Sequence, residues 1–222
     1  MFISSKMWRK SLKQIIFFLF LLCFLGCSQE QYSIWPDGNI PCVISGDFTS
    51  QEKEAIIESM NFYTILSNQK INFVFTDNIG ENVLHIFKVN NHTTLSGLTT
   101  YAYKKNTAHF MALKKIEKRV ILHELGHVVG LIDEQQRPDR DLYVSINLEK
   151  LEKNNLAYFL AYQDYCIYDY QDYLYDYQSI MHYSESDCID AIDSHGNEIG
   201  NDTLSLIDIQ KINDLYNKKS PL

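Results

Sequence analysis

His123, Glu124 and His127 stand in the order HELGH, and that order has chemical consequences. On a helix, residues four apart lie one above the other, so His123 and His127 can offer two imidazoles to one metal ion. Glu124 points to the same region from the neighbouring position and can take a proton from water held there. A catalytic zinc site needs three protein ligands and one open position, so a third ligand is required. Gly130 stops the helix and turns the chain, which lets residue 133 return to the metal. Residue 133 is an aspartate, and two histidines with one carboxylate make a competent zinc site. An aspartyl oxygen lies nearer its own backbone than an imidazole nitrogen does, so the 130–134 turn is expected to move inward. Its charge offsets part of the ion's, which asks more of Glu124 as base. The alternative is Asp133 facing solvent over a weakly held metal. His195, in DSHGNE, reads as a solvated loop histidine.

The elements that must position these groups read as an α+β domain. With 222 residues and 45% hydrophobic letters, the chain can bury one core and is too short for two large domains. Residues 35–48 predict a turn and a strand. Thr49-x-x-Glu52 has the form of a capping box before an amphipathic helix over 50–67. INFVFT (71–76), NVLHIFKV (82–89) and HFMAL (109–113) predict strands, and GLTTYAYKK (97–105) alternates weakly. A second helix is expected over 115–129. Beyond Gly130 the chain is irregular until Ser205-x-x-Asp208 caps a last helix. The expected result is two lobes: a mixed sheet with two long helices in 35–130, then a looser 131–222. Nine tyrosines fall within 158–183; they read as a loop layer packed on the core, with an aromatic binding platform as the alternative.

Residues 1–26 differ from the rest. Lys6, Arg9, Lys10 and Lys13 precede the apolar run Ile15 to Gly26, which suits a signal peptide, with a short membrane anchor as the alternative. The run ends FLGC, which resembles the lipobox of bacterial lipoproteins. That resemblance implies lipid on Cys27, a tether over 27–34 of under about 30 Å, and a bacterial envelope or otherwise extracytoplasmic location. Removing 1–26 takes away four positive charges and no acids, so the net charge moves from −8 to −12. So acidic a chain argues against nucleic acid as a partner.

The run HELGHVVGLIDEQQRPDRD resembles the zinc motif of the astacin family of metzincin proteases, through Glu134 and the RPDRD of residues 137–141. YDYQSIMHY (175–183) matches that family's Met-turn, WPDGNIPCVI its opening, with Cys42 in place of a tyrosine, and SLIDIQKINDLYN its last helix. The resemblance implies a zinc endopeptidase acting through metal-activated water. His123, His127 and Asp133 would bind one zinc, and Glu124 would serve as general base and then acid. Met181 would floor the site and Tyr183 would stabilise the oxyanion. A polypeptide substrate would lie as an added strand along GLTTYAYKK.

The departures matter as much as the matches. The family's third ligand is histidine, so the competing reading is a non-catalytic surface module with an impaired metal site. The family's glutamate after that ligand meets a processed N-terminus. With no room for a propeptide between Cys27 and Trp35, Glu134 is expected to pair with Arg137 or Arg140 instead. Lys70 and Leu98 stand where the family's cysteines are expected, leaving Cys166 with Cys188 as the anticipated pair. Residues 184–202 hold several acids and no Lys or Arg, so a preference for acidic residues just after the cut is not expected.

Overall fold

The computed structural model describes residues 32–89, 96–150, 166–184, 189–192 and 198–217. Residues 1–26, Cys27, Cys188 and His195 lie outside the described residues, and with them the signal, lipidation and disulfide expectations. Among the described residues no helix is long and apolar enough to cross a membrane.

Strand β1 (Asn39–Ile44) follows a short turn at Pro36–Gly38. Helix α1 (Ser50–Leu66) begins as the sequence predicts: the Thr49 hydroxyl accepts from the Glu52 N–H at 3.3 Å, and Glu52 Oε2 accepts from the Thr49 N–H at 2.8 Å. Strands β2 (Asn72–Phe75), β3 (Leu84–Lys88), β4 (Gly97–Thr99) and β5 (His109–Leu113) complete a sheet ordered β2-β1-β3-β5-β4. All pairings are parallel except β4 with β5. Alternate residues Ile40, Cys42, Leu84, Ile86, Met111 and Leu113 are buried and share one core with Ile56 and Met60 of α1. Phe87, on the face of β3 opposite Ile86, reaches solvent, as does Phe75 at the end of the edge strand β2. A sheet covered on one side explains the period-two pattern in its strands. Burial pushes the Cys42 thiol up to about 12, so it serves as a small core residue.

Two boundaries differ from expectation. Helix α2 spans Lys118–Val129 and starts later than 115, because the Lys114 and Lys115 N–H groups both donate to the Ser96 carbonyl instead of opening a helix. Strand β4 is three residues long rather than running to 105. Ala102, at φ 49°, donates its N–H to the His127 carbonyl, and Tyr103 pairs with Ser33. The chain therefore leaves the sheet edge and docks on the helix.

After Gly130 come short turns of 3-10 helix and a two-stranded ladder of β6 (Val144–Ile146) with β7 (Ile189–Ala191) that the sequence pattern did not predict. Helix α3 (Leu206–Asn217) closes the domain. Its start is reciprocally capped: Ser205 Oγ accepts from the Asp208 N–H at 2.9 Å and Asp208 Oδ2 from the Ser205 N–H at 3.0 Å. Within 166–183 the tyrosines pack inward as the loop-layer reading expects. Tyr168 and Tyr173 join the main core, and Tyr175 joins a small one with Val144, Ile189 and Ile199.

Candidate metal centre

Helix α2 carries the two histidines, and its end is fixed carbonyl by carbonyl. The last four carbonyls of a helix lack intrahelical partners. Gly130, left-handed at φ 105°, lets the Leu131 N–H return to the Gly126 carbonyl at 2.9 Å and its own N–H to His127 at 3.0 Å. The Trp35 indole donates to the Val128 carbonyl at 2.8 Å, and the Tyr216 hydroxyl to that of Val129 at 3.3 Å. Elements from both ends of the chain thus converge on one helix terminus. The Tyr101 hydroxyl completes the set by donating to the Gly130 carbonyl at 3.0 Å.

Each imidazole is oriented through its Nδ1. His123 Nδ1 lies 2.9 Å from the Ile180 carbonyl, and His127 Nδ1 3.0 Å from that of Leu131. A carbonyl only accepts, so Nδ1 carries the proton and each Nε2 presents a lone pair. Asp133 Oδ1 lies 3.3 Å from His123 Nε2 and 3.4 Å from His127 Nε2. The three ligand atoms lie within 4.8 Å of one another. Metal–ligand bonds of about 2.0–2.2 Å in a tetrahedron give edges of about 3.3–3.6 Å, so both contacts to Asp133 suit a shared zinc ion. Asp133 Oδ1 is buried without a hydrogen-bond partner, an arrangement that costs free energy unless a cation meets it. Burial pulls the His127 imidazole down, but the Asp133 carboxylate, with Glu124 behind it, prevails and pushes it up to about 9, so a metal ion binding there would displace a proton from Nε2. The field in this pocket favours positive charge. The residues present therefore fit a metal ion.

Glu124 is buried beside them, its Oε2 accepting from the Thr99 hydroxyl of β4 at 2.6 Å. A Cβ built on Gly97 would stand 2.4 Å from Glu124 Oε1, so the edge strand approaches the carboxylate as only glycine permits. Gly97, Thr99, the two histidines, Glu124, Asp133 and Tyr183 line one cavity of about 90 Å³. The Tyr183 ring lies 6.1 Å from that of His123, and its N–H donates to Gln135 Oε1 at 3.0 Å. Met181 is fully buried beneath helix α2, with its sulfur where a Cβ on Gly126 would fall.

Two buried polar knots hold the loops that carry these residues. Asp208 of α3 accepts from the Ser179 hydroxyl at 2.6 Å and the Ile180 N–H at 3.0 Å, which fixes the turn before Met181. Glu134, fully buried next to Asp133, accepts from Arg137 at 2.8 Å as the sequence suggests. It also accepts from Lys211 Nζ at 2.7 Å and from the Asp176 N–H at 2.9 Å. Burial lifts the Glu134 carboxyl, but Lys211 and Arg137 override it and hold it below its ordinary value. Arg140 turns instead to Asp141 and the Gln135 carbonyl. The structure thus gathers His123, Glu124, His127, Asp133, Met181 and Tyr183 in one place. Gly97 and Thr99 are legible in the sequence only as part of the substrate-edge segment and Asp208 only as a helix cap, and Lys211 is not legible as part of the site at all, because the tertiary fold alone brings these groups to Glu124, Met181 and Glu134.

The sequence model of the astacin peptidase family matches residues 27–217. Nematocyst expressed protein 6 of Nematostella vectensis is 29% identical over 191 residues, covering 82% of this chain and 65% of that protein. Zinc metalloproteinase nas-13 of Caenorhabditis elegans is 31% identical over 197 residues, covering 85% of this chain and 42% of that protein. The chain spans less than two thirds of the length of the curated relatives it matches. Among solved structures, high choriolytic enzyme 1, a hatching enzyme zinc-protease of Oryzias latipes, superposes with a TM-score of 0.68 at 27% identity. That match covers 86% of this chain and 96% of the other.

Proposed function

Since the chain belongs to the astacin family, we propose that it is a zinc-dependent endopeptidase. The observation that carries the proposal is the meeting of two lone-pair-bearing Nε2 atoms and an otherwise unpartnered Asp133 oxygen beside the Glu124 carboxylate. His123, His127 and Asp133 would hold one zinc ion. A zinc ion in that position supplies Lewis-acid polarisation of a carbonyl and makes water more acidic.

The chain's own groups do the rest. Thr99 pins one oxygen of Glu124 by its 2.6 Å bond. The other is left to take a proton from water and then deliver it to the leaving amine. Tyr183, on the cavity wall, donates a hydrogen bond to the oxyanion as charge develops. The outer edge of β4 offers backbone groups to an extended polypeptide, giving affinity that tolerates varied sequence. Leu98, exposed on that edge, is in position to contact it. We assign Cys27 as a lipidated anchor at a bacterial envelope membrane, on the charged start, the apolar run and FLGC.

The test is zinc analysis of the purified chain beside a casein digest. The reading expects bound zinc and cleavage that a chelator abolishes and added zinc restores. Glu124→Gln should keep its zinc and lose about 10²–10⁴ in rate. A chain that takes up no zinc, or holds zinc and leaves casein intact, contradicts the proposal.

A further inference from the structure

Tyr183 enters the proposed chemistry through its side chain, but the fold grips it by its main chain. Its N–H donates to Gln135 Oε1 at 3.0 Å. Its carbonyl accepts from His182 Nδ1 at 2.8 Å. Gln135 and His182 are both fully buried, and neither belongs to the lining of the metal cavity. Given the endopeptidase reading above, we infer that Gln135 and His182 are positioning residues for the oxyanion step. They hold the Tyr183 main chain so that its phenol meets the charge developing on the scissile carbonyl.

Gln135 joins two segments that the site needs in register. It lies two residues after Asp133, on the turn Glu134–Gln136. The Glu134 N–H donates to the Met181 carbonyl at 3.0 Å, and the Gln135 side chain adds the next bond, to Tyr183. The segment carrying the third ligand is thereby tied to the segment carrying the phenol. The Gln135 main chain is fixed as well, because Arg140 Nη1 donates to its carbonyl at 3.0 Å. Its amide nitrogen is buried and, among the described residues, has no hydrogen-bond partner. Such a group costs stability. An apolar side chain of the same length would avoid that cost, so what glutamine contributes here is the acceptor for Tyr183.

His182 acts from the other side. A carbonyl only accepts, so Nδ1 carries the proton. Burial pulls the imidazole below its ordinary value, which leaves the ring neutral. Its Nε2 then accepts from the Tyr175 hydroxyl, 2.8 Å away. Tyr175 is itself stacked on Tyr143, with ring centroids 4.3 Å apart. Tyr175 thus selects the tautomer that grips Tyr183. The His182 carbonyl is also held, 3.4 Å from Arg119 Nη2.

A double-mutant cycle on the zinc-loaded full-length chain, read with a fluorogenic peptide, tests this. Tyr183→Phe keeps the main chain, removes the hydroxyl and should lower kcat by about 10²–10³. Gln135→Met leaves one N–H unpaired but relieves the buried amide, so melting temperature and zinc content should hold. Its kcat should fall by about ten- to a hundredfold with KM kept within about twofold, because an interaction made only in the transition state is weakened. In the Tyr183→Phe background the same substitution should cost less than about twofold, since both act through one hydroxyl. His182→Leu should behave alike, and His182→Asn, which keeps a donor near the Nδ1 position, should recover part of the rate. Losses that multiply in the double variants, or full activity in either single variant, overturn the inference and leave the endopeptidase reading standing. If the native chain cleaves nothing, that reading falls instead. Fluorine NMR of the zinc-loaded chain labelled with fluorotyrosine then decides. The Tyr183 signal, identified by its absence in Tyr183→Phe, should shift or split in Gln135→Met and in His182→Leu, and an unmoved signal overturns the clamp.

Discussion

Replacing Gly97 with alanine should separate the position of Glu124 from everything else in the site. The new Cβ would fall 2.4 Å from Glu124 Oε1 and 2.7 Å from its Cγ and Cδ. Ordinary contact needs about 3.5–4 Å between carbons, so the carboxylate must retreat by about 1 Å. What moves is the free end of a side chain, so folding should barely suffer. The φ of Gly97 lies outside the left-handed region, and a smaller unfolded-state entropy returns a few tenths of a kcal/mol, up to about 1. A proton-transferring group displaced by about 1 Å costs about 10² in rate. The expected result is therefore an unchanged melting temperature, unchanged zinc content and kcat down about a hundredfold on a casein-derived peptide. Full activity in a correctly folded, zinc-loaded Gly97→Ala chain would refute the reasoning, because the observed carboxylate position would then not be the working one.

Other outcomes follow from the buried knots. Lys211→Met strips one cation from the buried Glu134 carboxylate and should cost about 3 kcal/mol in urea unfolding. The double variant with Glu134→Gln should recover part of that, and simple additivity would show the pair is not coupled. Burial lifts the Asp208 carboxyl to about 6 from an ordinary 3.8, against the pull of Lys211. Because its folded value is the higher, its contribution is fully present below about pH 4 and is lost as the pH rises through 6. Relative to Asp208→Asn, the native chain should lose about 2 kcal/mol between pH 4 and 7; parallel stability curves would contradict this. Gly130→Ala sets an alanine at φ 105° with its Cβ 2.5 Å from Ile167 Cδ1 and should lower stability by about 1–2 kcal/mol on thermal melting.

What could be read in the sequence was local. The four-residue step from His123 to His127, the stop at Gly130 and the caps at Thr49 and Ser205 depend on neighbours a turn away, and the structure reproduces them. Asp133 could be read as a ligand candidate because Gly130 fixes where the next three residues go. Lys211 could not be placed. It lies 77 residues from Glu134, and the helix pattern shows only a lysine among apolar positions. Thr99 and Glu124 are 25 residues apart and meet only because β4 runs along the sheet edge beside α2. Strands β6 and β7 are three residues each, too short for alternation to register. The overlong strand over 97–105 failed at Ala102, whose positive φ carries no glycine or asparagine to announce it.

The zinc affinity of Asp133→Ala, measured beside the native chain by competition with a chelating dye, tests the central claim most directly. Three ligands converging at 3.3 and 3.4 Å around Asp133 predict one zinc per native chain. They also predict a loss of at least about a hundredfold in affinity once the carboxylate is gone. Equal affinity in the two chains would contradict the account, because the metal would then be held without the residue that sets this site apart.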